Sequence, residues 1–269
     1  MILYLEPVGG LAGDMFLAAL LDLGHPAFTL AELERLARSL VPERLELVLS
    51  EATRGGFRVR RLEVKTAESE RPPVRHLAEL SALLARCTLG AAGQERAARV
   101  LRRLAEAEAK VHGIPVDEVH FHEVGAIDTL IDVCGVVLAL ELLGVERVLA
   151  STPYVGGGIV LGAHGIMPVP TPGTLELLRG VPVRTGPGGE RVTPTGAALL
   201  AELVERYEPE ETLVFERVGF GGGAREPAEG PANLVRVSLA RAGVAAGRAE
   251  VWELACNLDD FPLCRGAIR

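Results

Sequence analysis

Residues 120–143 read His-Phe-His-Glu-Val-Gly-Ala-Ile-Asp-Thr-Leu-Ile-Asp-Val-Cys-Gly-Val-Val-Leu-Ala-Leu-Glu-Leu-Leu. From Ala126 to Leu143 the stretch is apolar on nearly every side, which predicts a buried helix. Its one polar stripe is Asp128 and Asp132, continued by Gly135 and Ala139. Residues four apart share a helix face, so the two carboxylates are neighbours. Two buried acids repel unless a cation, a proton or a hydrogen-bond donor joins them, although a helix N-terminus favours Asp128. Just upstream, the alternation of an extended His120-Phe121-His122 puts both imidazoles on one side, with Glu123 following. Two readings remain open here. One is capping plus a structural pair with an arginine elsewhere. The other is a divalent-metal or proton-transfer site, since imidazole with carboxylate suits nickel, zinc or iron.

Working outward, strand and helix patterns alternate. Ile2–Glu6 reads as a buried strand, followed by a Gly-rich turn and an apolar helix from Met15 to Leu23. Such a turn can present N–H groups to an anion, so Gly13 and Asp14 are candidates, but the spacing is not G-x-G-x-x-G and the Walker lysine is absent. Asp14 as a plain helix cap is the competing reading. Thr29 and Glu32 form a capping box. Residues 45–54 and 57–66 alternate around Gly55-Gly56, a hairpin whose Arg58, Arg60 and Arg61 are expected on a solvated face. After a polar linker, Glu68–Pro73, come two helices near 75–86 and 93–112. His112-Gly113 ends the second.

Val148–Ala150 is a short strand. Gly156, Gly157 and Gly158 then open a loop-rich, partly apolar wall that includes His164. Thr171-Pro172 starts a helix that stops at Gly180 and Thr193-Pro194-Thr195-Gly196 starts another over 197–206, both by the Thr-cap, Pro-first rule, and the Thr193–Gly196 start would also suit a phosphate. A second glycine cluster, Gly219-Phe-Gly221-Gly222-Gly223, lies between strands 213–219 and 234–240. Val251–Ala255 reads as a last strand. The expectation is therefore an α/β protein: a mixed sheet with flanking helices, its main domain built from 1–66 and 114–260. A smaller helical insertion spans 67–113, and residues 261–269 form an unpatterned tail.

Of the 269 residues 48% are hydrophobic, ample for a core, and the net charge of −8 argues against a nucleic-acid partner. The longest apolar run, Val133–Leu140, is far short of the ~20 residues a membrane span needs, and the N-terminus lacks a secretory pattern, so a cytoplasmic location is expected. Cys87, Cys134, Cys256 and Cys264 are widely spaced, which argues against a zinc knuckle or disulfide framework, and Cys134 reads as a small core residue.

Several motifs in combination resemble the LarC family of nickel-pincer cofactor biosynthesis proteins. They are Gly10-Leu-Ala-Gly-Asp-Met15; His120-Phe-His-Glu-Val-Gly-Ala-Ile-Asp-Thr129 with Asp132; Pro153-Tyr-Val-Gly-Gly-Gly158 followed by Ala163-His-Gly165 and Pro168-Val-Pro170; Thr193-Pro-Thr-Gly-Ala-Ala198; Gly219-Phe-Gly-Gly-Gly223; and Asn257-Leu-Asp-Asp260. The resemblance covers residue 2 to Asp260 and implies CTP-dependent insertion of Ni(II) into pyridinium-3,5-bisthiocarboxylic acid mononucleotide. The product is the nickel-pincer cofactor of lactate racemase, made by a nickel insertase of the lyase class. On that basis His120, His122, Asp128 and Asp132 are expected to hold nickel, with Glu123 or His164 taking the ring proton. Gly13, Asp14, Gly156, Gly157, Gly158, Thr193, Thr195, Gly196, Gly221 and Gly222 are expected around the ligand and its phosphate.

Pro7 and Gly10 stand where the family usually has Cys and Ser, so a thiol ligand is not available there. The family usually continues past Asn257–Asp260 into a further C-terminal domain, and is known with the two parts encoded separately. The tail Phe261–Arg269 reads like a frame change. The expectation is an N-terminal part needing a C-terminal partner chain, with the site for CTP and its Mg or Mn incomplete and homo-oligomers an option. The alternative is a non-enzymatic nickel- or precursor-binding module.

Overall fold

The computed structural model describes residues 1–41, 45–66, 75–119, 121, 127–162 and 164–243. In chain order, strand β1 (Ile2–Glu6) leads to helix α1 (Gly13–Asp22) and helix α2 (Leu30–Leu40). The hairpin β2 (Leu45–Arg54) and β3 (Phe57–Thr66) follows. Next come α3 (Leu77–Leu84), α4 (Ala91–His112) and α5 (Ile127–Leu142). Short strands β4 (Arg147–Ala150), β5 (Tyr154–Gly157), β6 (Ile159–Gly162) and β7 (Gly165–Pro168) precede α6 (Pro172–Leu177). The remainder is β8 (Arg184–Thr185), β9 (Gly189–Glu190), α7 (Pro194–Leu203), β10 (Arg206–Tyr207), β11 (Leu213–Gly222) and β12 (Leu234–Ala242).

Seven strands form one mixed sheet in the order β10-β4-β1-β12-β11-β3-β2, so the chain is α/β. β1 runs parallel to β4 and antiparallel to β12. Helix α1 lies against β3, β11 and β12, and α5 packs behind it, touching α1, α2, α4 and α7. That position between other helices explains why α5 is apolar all round: every residue from Thr129 to Leu140 is buried. Leu101 and Leu104 of α4 join the same core as Leu3 and Leu5 of β1. Cys134 is a buried core residue beside the Cys87 thiol, and both are free.

Local signals placed most elements. The hairpin pairs Arg54 with Phe57 around Gly55-Gly56. Thr29 accepts from the Glu32 N–H, and Gly113 closes α4 in the left-handed region at φ 66°. Three expectations change. Helix α7 starts at Pro194 and ends at Leu203, because Arg206-Tyr207 pairs with β4. Helix α6 ends at Leu177, short of Gly180, and Thr171 hydrogen-bonds the Thr174 hydroxyl. Arg58 and Arg60 do not form a plain solvated face: both reach the nearly buried Asp22 carboxylate of α1, which also accepts from the Phe220 N–H. The predicted linker 68–73, strand 251–255 and tail 261–269 lie outside the described residues.

Gly221 lets α1 sit this close to the sheet. A Cβ there would collide with the Met15 carbonyl, a backbone atom that cannot swing away. Gly221→Ala is therefore expected to cost about 2 kcal/mol in urea unfolding, whereas Gly90→Ser, where a Cβ meets open space at an N-cap, changes stability by less than about 0.5 kcal/mol.

Candidate functional site

Three helices meet at one cleft. Leu11 donates to the Arg191 carbonyl and accepts from the Thr193 N–H, which sets the starts of α1 and α7 side by side. The first described turn of α5 completes the group. The resulting cleft, about 500 Å³, is lined by Gly13 and Asp14 from α1, Asp128, Thr129 and Asp132 from α5, and Thr193, Pro194 and Thr195 from α7. Arg61 and Glu63 of β3 and Glu190 of β9 form the remaining polar wall. Helix N-termini carry positive dipole ends and unsatisfied N–H groups, so their meeting point tolerates negative charge.

Asp132 is buried, and its Oδ1 has no hydrogen-bond partner among the described residues. A Cβ on Gly13 would sit 2.5 Å from the Asp132 Oδ2, so the missing side chain is what admits this carboxylate to the start of α1. Burial, then the charges of Asp14 and Asp128, push the Asp132 carboxyl well above the ordinary range, against a smaller lowering by the Asp14 N–H. Burial also raises Asp14 to about 6, opposed by the Met15 N–H and by the Arg61 guanidinium. Asp14 is not the helix cap: Ala12 holds that position, and the Asp14 Oδ1 accepts from Met15 N at 2.8 Å. Sequence reasoning placed Asp14 with the phosphate. Its partnership with Asp132 spans the chain and left no local signal.

At the other end, the Thr193 hydroxyl accepts from the Gly196 N–H, and Thr195 is mostly buried beside it. The remaining candidates divide. Asp128 is exposed at the cleft mouth. His120, His122 and Glu123 lie outside the described residues. His164 stands away from the cleft lining, in a separate cavity against His112. The candidate glycines outside α1 serve packing: a Cβ on Gly156 would strike the Gly189 carbonyl, on Gly157 the Gly186 carbonyl, on Gly196 the Leu11 carbonyl, and on Gly222 the Val59 side chain. Gly158, at φ 93°, turns the chain into β6. The turn after β1 is likewise filled by protein, since Arg191 donates to the Gly9, Glu229 and Pro231 carbonyls. Among the described residues, no three His, Cys, Asp or Glu side chains are grouped to hold a metal ion, so a cation in the cleft would take two carboxylates and complete its shell from elsewhere.

Such a cleft defines an α/β protein able to take a cation at its carboxylates and an anion at its helix N-termini. The chain belongs to the nickel insertion protein family, whose model matches residues 3–263. A protein of Myxococcus xanthus named for nickel insertion is 47% identical over 260 residues, 96% of this chain and 65% of that protein. Relatives of the same name in Geotalea daltonii and Wolinella succinogenes are 40% and 39% identical, covering 97% of this chain and 66% and 65% of their own lengths. The chain thus spans just under two thirds of the relatives it matches. No solved structure matches it. Among the described residues no helix is long and apolar enough to cross a membrane.

A carboxyl raised on folding binds its proton more tightly in the native state than in the unfolded one. Its contribution is complete below the unfolded value, 3.8 for Asp14, and is lost as pH rises through about 6. Asp14→Asn removes that loss. Its stability relative to wild type is expected to rise between pH 5 and 8 by on the order of 2 kcal/mol in paired urea titrations.

Proposed function

We propose that the chain is the part of a nickel insertase that delivers Ni(II) to an organic ligand bearing a phosphate. The supporting observation is the buried Asp132 carboxylate, lacking a hydrogen-bond partner at Oδ1 and held against Asp14 at the start of α1. The family supplies the metal's identity. Nickel is the cargo in this reading. Asp14 and Asp132 hold it, Asp128 adds charge at the mouth, and His120 and His122, just before the same helix in sequence, are the proposed imidazole ligands. The ligand phosphate lies at the α7 start, against Thr193 and Thr195, with Arg61 as its cation.

The resemblance to the LarC family gives the ligand: pyridinium-3,5-bisthiocarboxylic acid mononucleotide, which becomes the nickel-pincer cofactor of lactate racemase. Nickel then bonds to two sulfurs and one ring carbon. The ring C–H bond breaks, its electron pair forms the C–Ni bond, and the proton must go to a base. The carboxylate pair suits that role once the metal leaves, because Asp132 by itself favours its protonated form. The site so exchanges a nickel ion for a proton, with no change in the metal's oxidation state. His164 lines the adjoining cavity, and Glu123 and His164 stay further candidates for the proton. CTP, with Mg or Mn, belongs to the full-length reaction.

A second reading is a nickel- and precursor-binding module that acts with a C-terminal partner chain. Precursor, nickel, Mg and CTP added to the purified chain, with product followed by mass spectrometry, separates the two. Product from the chain alone supports the insertase, and product only after adding the C-terminal third of a relative supports the module. In either case Asp132→Asn is expected to lower product formation at least 100-fold while the chain stays folded. An unchanged rate contradicts the role given to the carboxylates. The His120→Ala/His122→Ala double variant is expected to lose insertion as well.

A further inference from the structure

A second cavity, about 260 Å³, lies beyond Pro194, a residue that lines both it and the cleft. Its walls include Glu108 and His112 from the end of α4, and His164 and Met167 from the β6–β7 hairpin. The fold thus brings together two histidines that are far apart in the chain. Their ring centroids are 4.9 Å apart and the planes are tilted by 49°. Two imidazoles on adjacent positions of one divalent ion, with bonds near 2.1 Å, have centroids about 4.5–5.3 Å apart. The observed spacing already fits that arrangement.

The surroundings fit it as well. The Glu108 Oε2 lies 3.3 Å from the His112 Nε2. A carboxylate on one ring nitrogen fixes the tautomer and leaves the other nitrogen's lone pair for a metal, the usual partner of a ligating histidine. Gly173 makes room for that carboxylate, since a Cβ there would sit 3.0 Å from the Glu108 Oε1. Met167 adds a thioether to the same wall. Imidazole nitrogen suits Ni(II), and a site with two protein nitrogens and water elsewhere binds weakly enough to release its ion.

We propose that His112 and His164 form a loading site for a divalent transition metal ion, oriented by Glu108, next to the carboxylates of the cleft. It rests on the nickel reading of the cleft for the ion's identity, but binds independently of it. The ion exchanges water for the two imidazole nitrogens, then passes by Pro194 to Asp14 and Asp132. Both histidines are exposed, so removing one leaves the core intact.

The test is Ni(II) equilibrium dialysis on the purified chain. Wild type is compared with His164→Ala, His112→Ala and the Asp14→Asn/Asp132→Asn double variant, with thermal unfolding as a check on folding. His164→Ala and His112→Ala are each expected to weaken one binding event at least tenfold and leave the melting temperature near wild type. In wild type, nickel is expected to protect His112 and His164 from diethylpyrocarbonate, read by peptide mass spectrometry. Wild-type isotherms in both histidine variants, or no protection of either ring, overturn the loading site. Loss of binding in the histidine variants with none in the double variant keeps the loading site and removes the cleft reading instead.

Discussion

The Asp132 carboxylate stands where a side chain on residue 13 would be. Gly13 is the first residue of α1, and its bare Cα admits that carboxylate to the helix start. Most of the architecture keeps this contact in place. Helix α1 is held down on β11 and β3 by Gly221 and by Asp22 with its two arginines. Helix α5 carries Asp132 through the core, packed against α1, α2, α4 and α7. Backbone bonds from Leu11 bring up α7 as the third helix start. The Asp14 N–H at the start of α1 offsets part of the cost of burying Asp132, but not all of it, since its carboxyl stays well above the ordinary range. A carboxyl so perturbed in a cleft marks a candidate functional site.

Within the cleft, Asp14, Asp128 and Asp132 come from α1 and α5, and the Thr193 and Thr195 hydroxyls come with the start of α7. In the proposed reading a metal ion answers the first group and a phosphate the second. Arg61 lines the same cleft and lowers Asp14 by its charge. A cation of fixed charge in the protein would repel nickel, so its use toward the anion is the more economical arrangement.

Much of the fold could be read from local pattern. The β2–β3 hairpin, the Thr29 and Thr193 caps, the Gly113 stop and the burial of α5 each follow from residues a few positions apart. Asp128 and Asp132 were legible as one helical face for the same reason. What could not be read depends on contacts across the chain. Glycines that admit a close neighbour look in sequence like glycines that cradle a phosphate, so the packing role of Gly156, Gly157, Gly221 and Gly222 has no local signal. Arg58 and Arg60 alternate as a solvated face would, and their partner Asp22 lies on another element. Asp14 was legible only as a phosphate-side candidate or a cap, because its meeting with Asp132 is set by helix packing. His164 carried no local sign of its neighbour, because His112 reaches it only through the fold.

The central claim is that Asp132 is a protonated acid waiting for a cation beside Asp14. Proton release on Ni(II) addition, followed in weakly buffered solution near neutral pH, tests it most directly. Wild type is predicted to release about one proton per chain more than Asp132→Asn, because the metal must displace the proton that burial holds there. Equal release from the two chains, with nickel bound by both, would contradict the account.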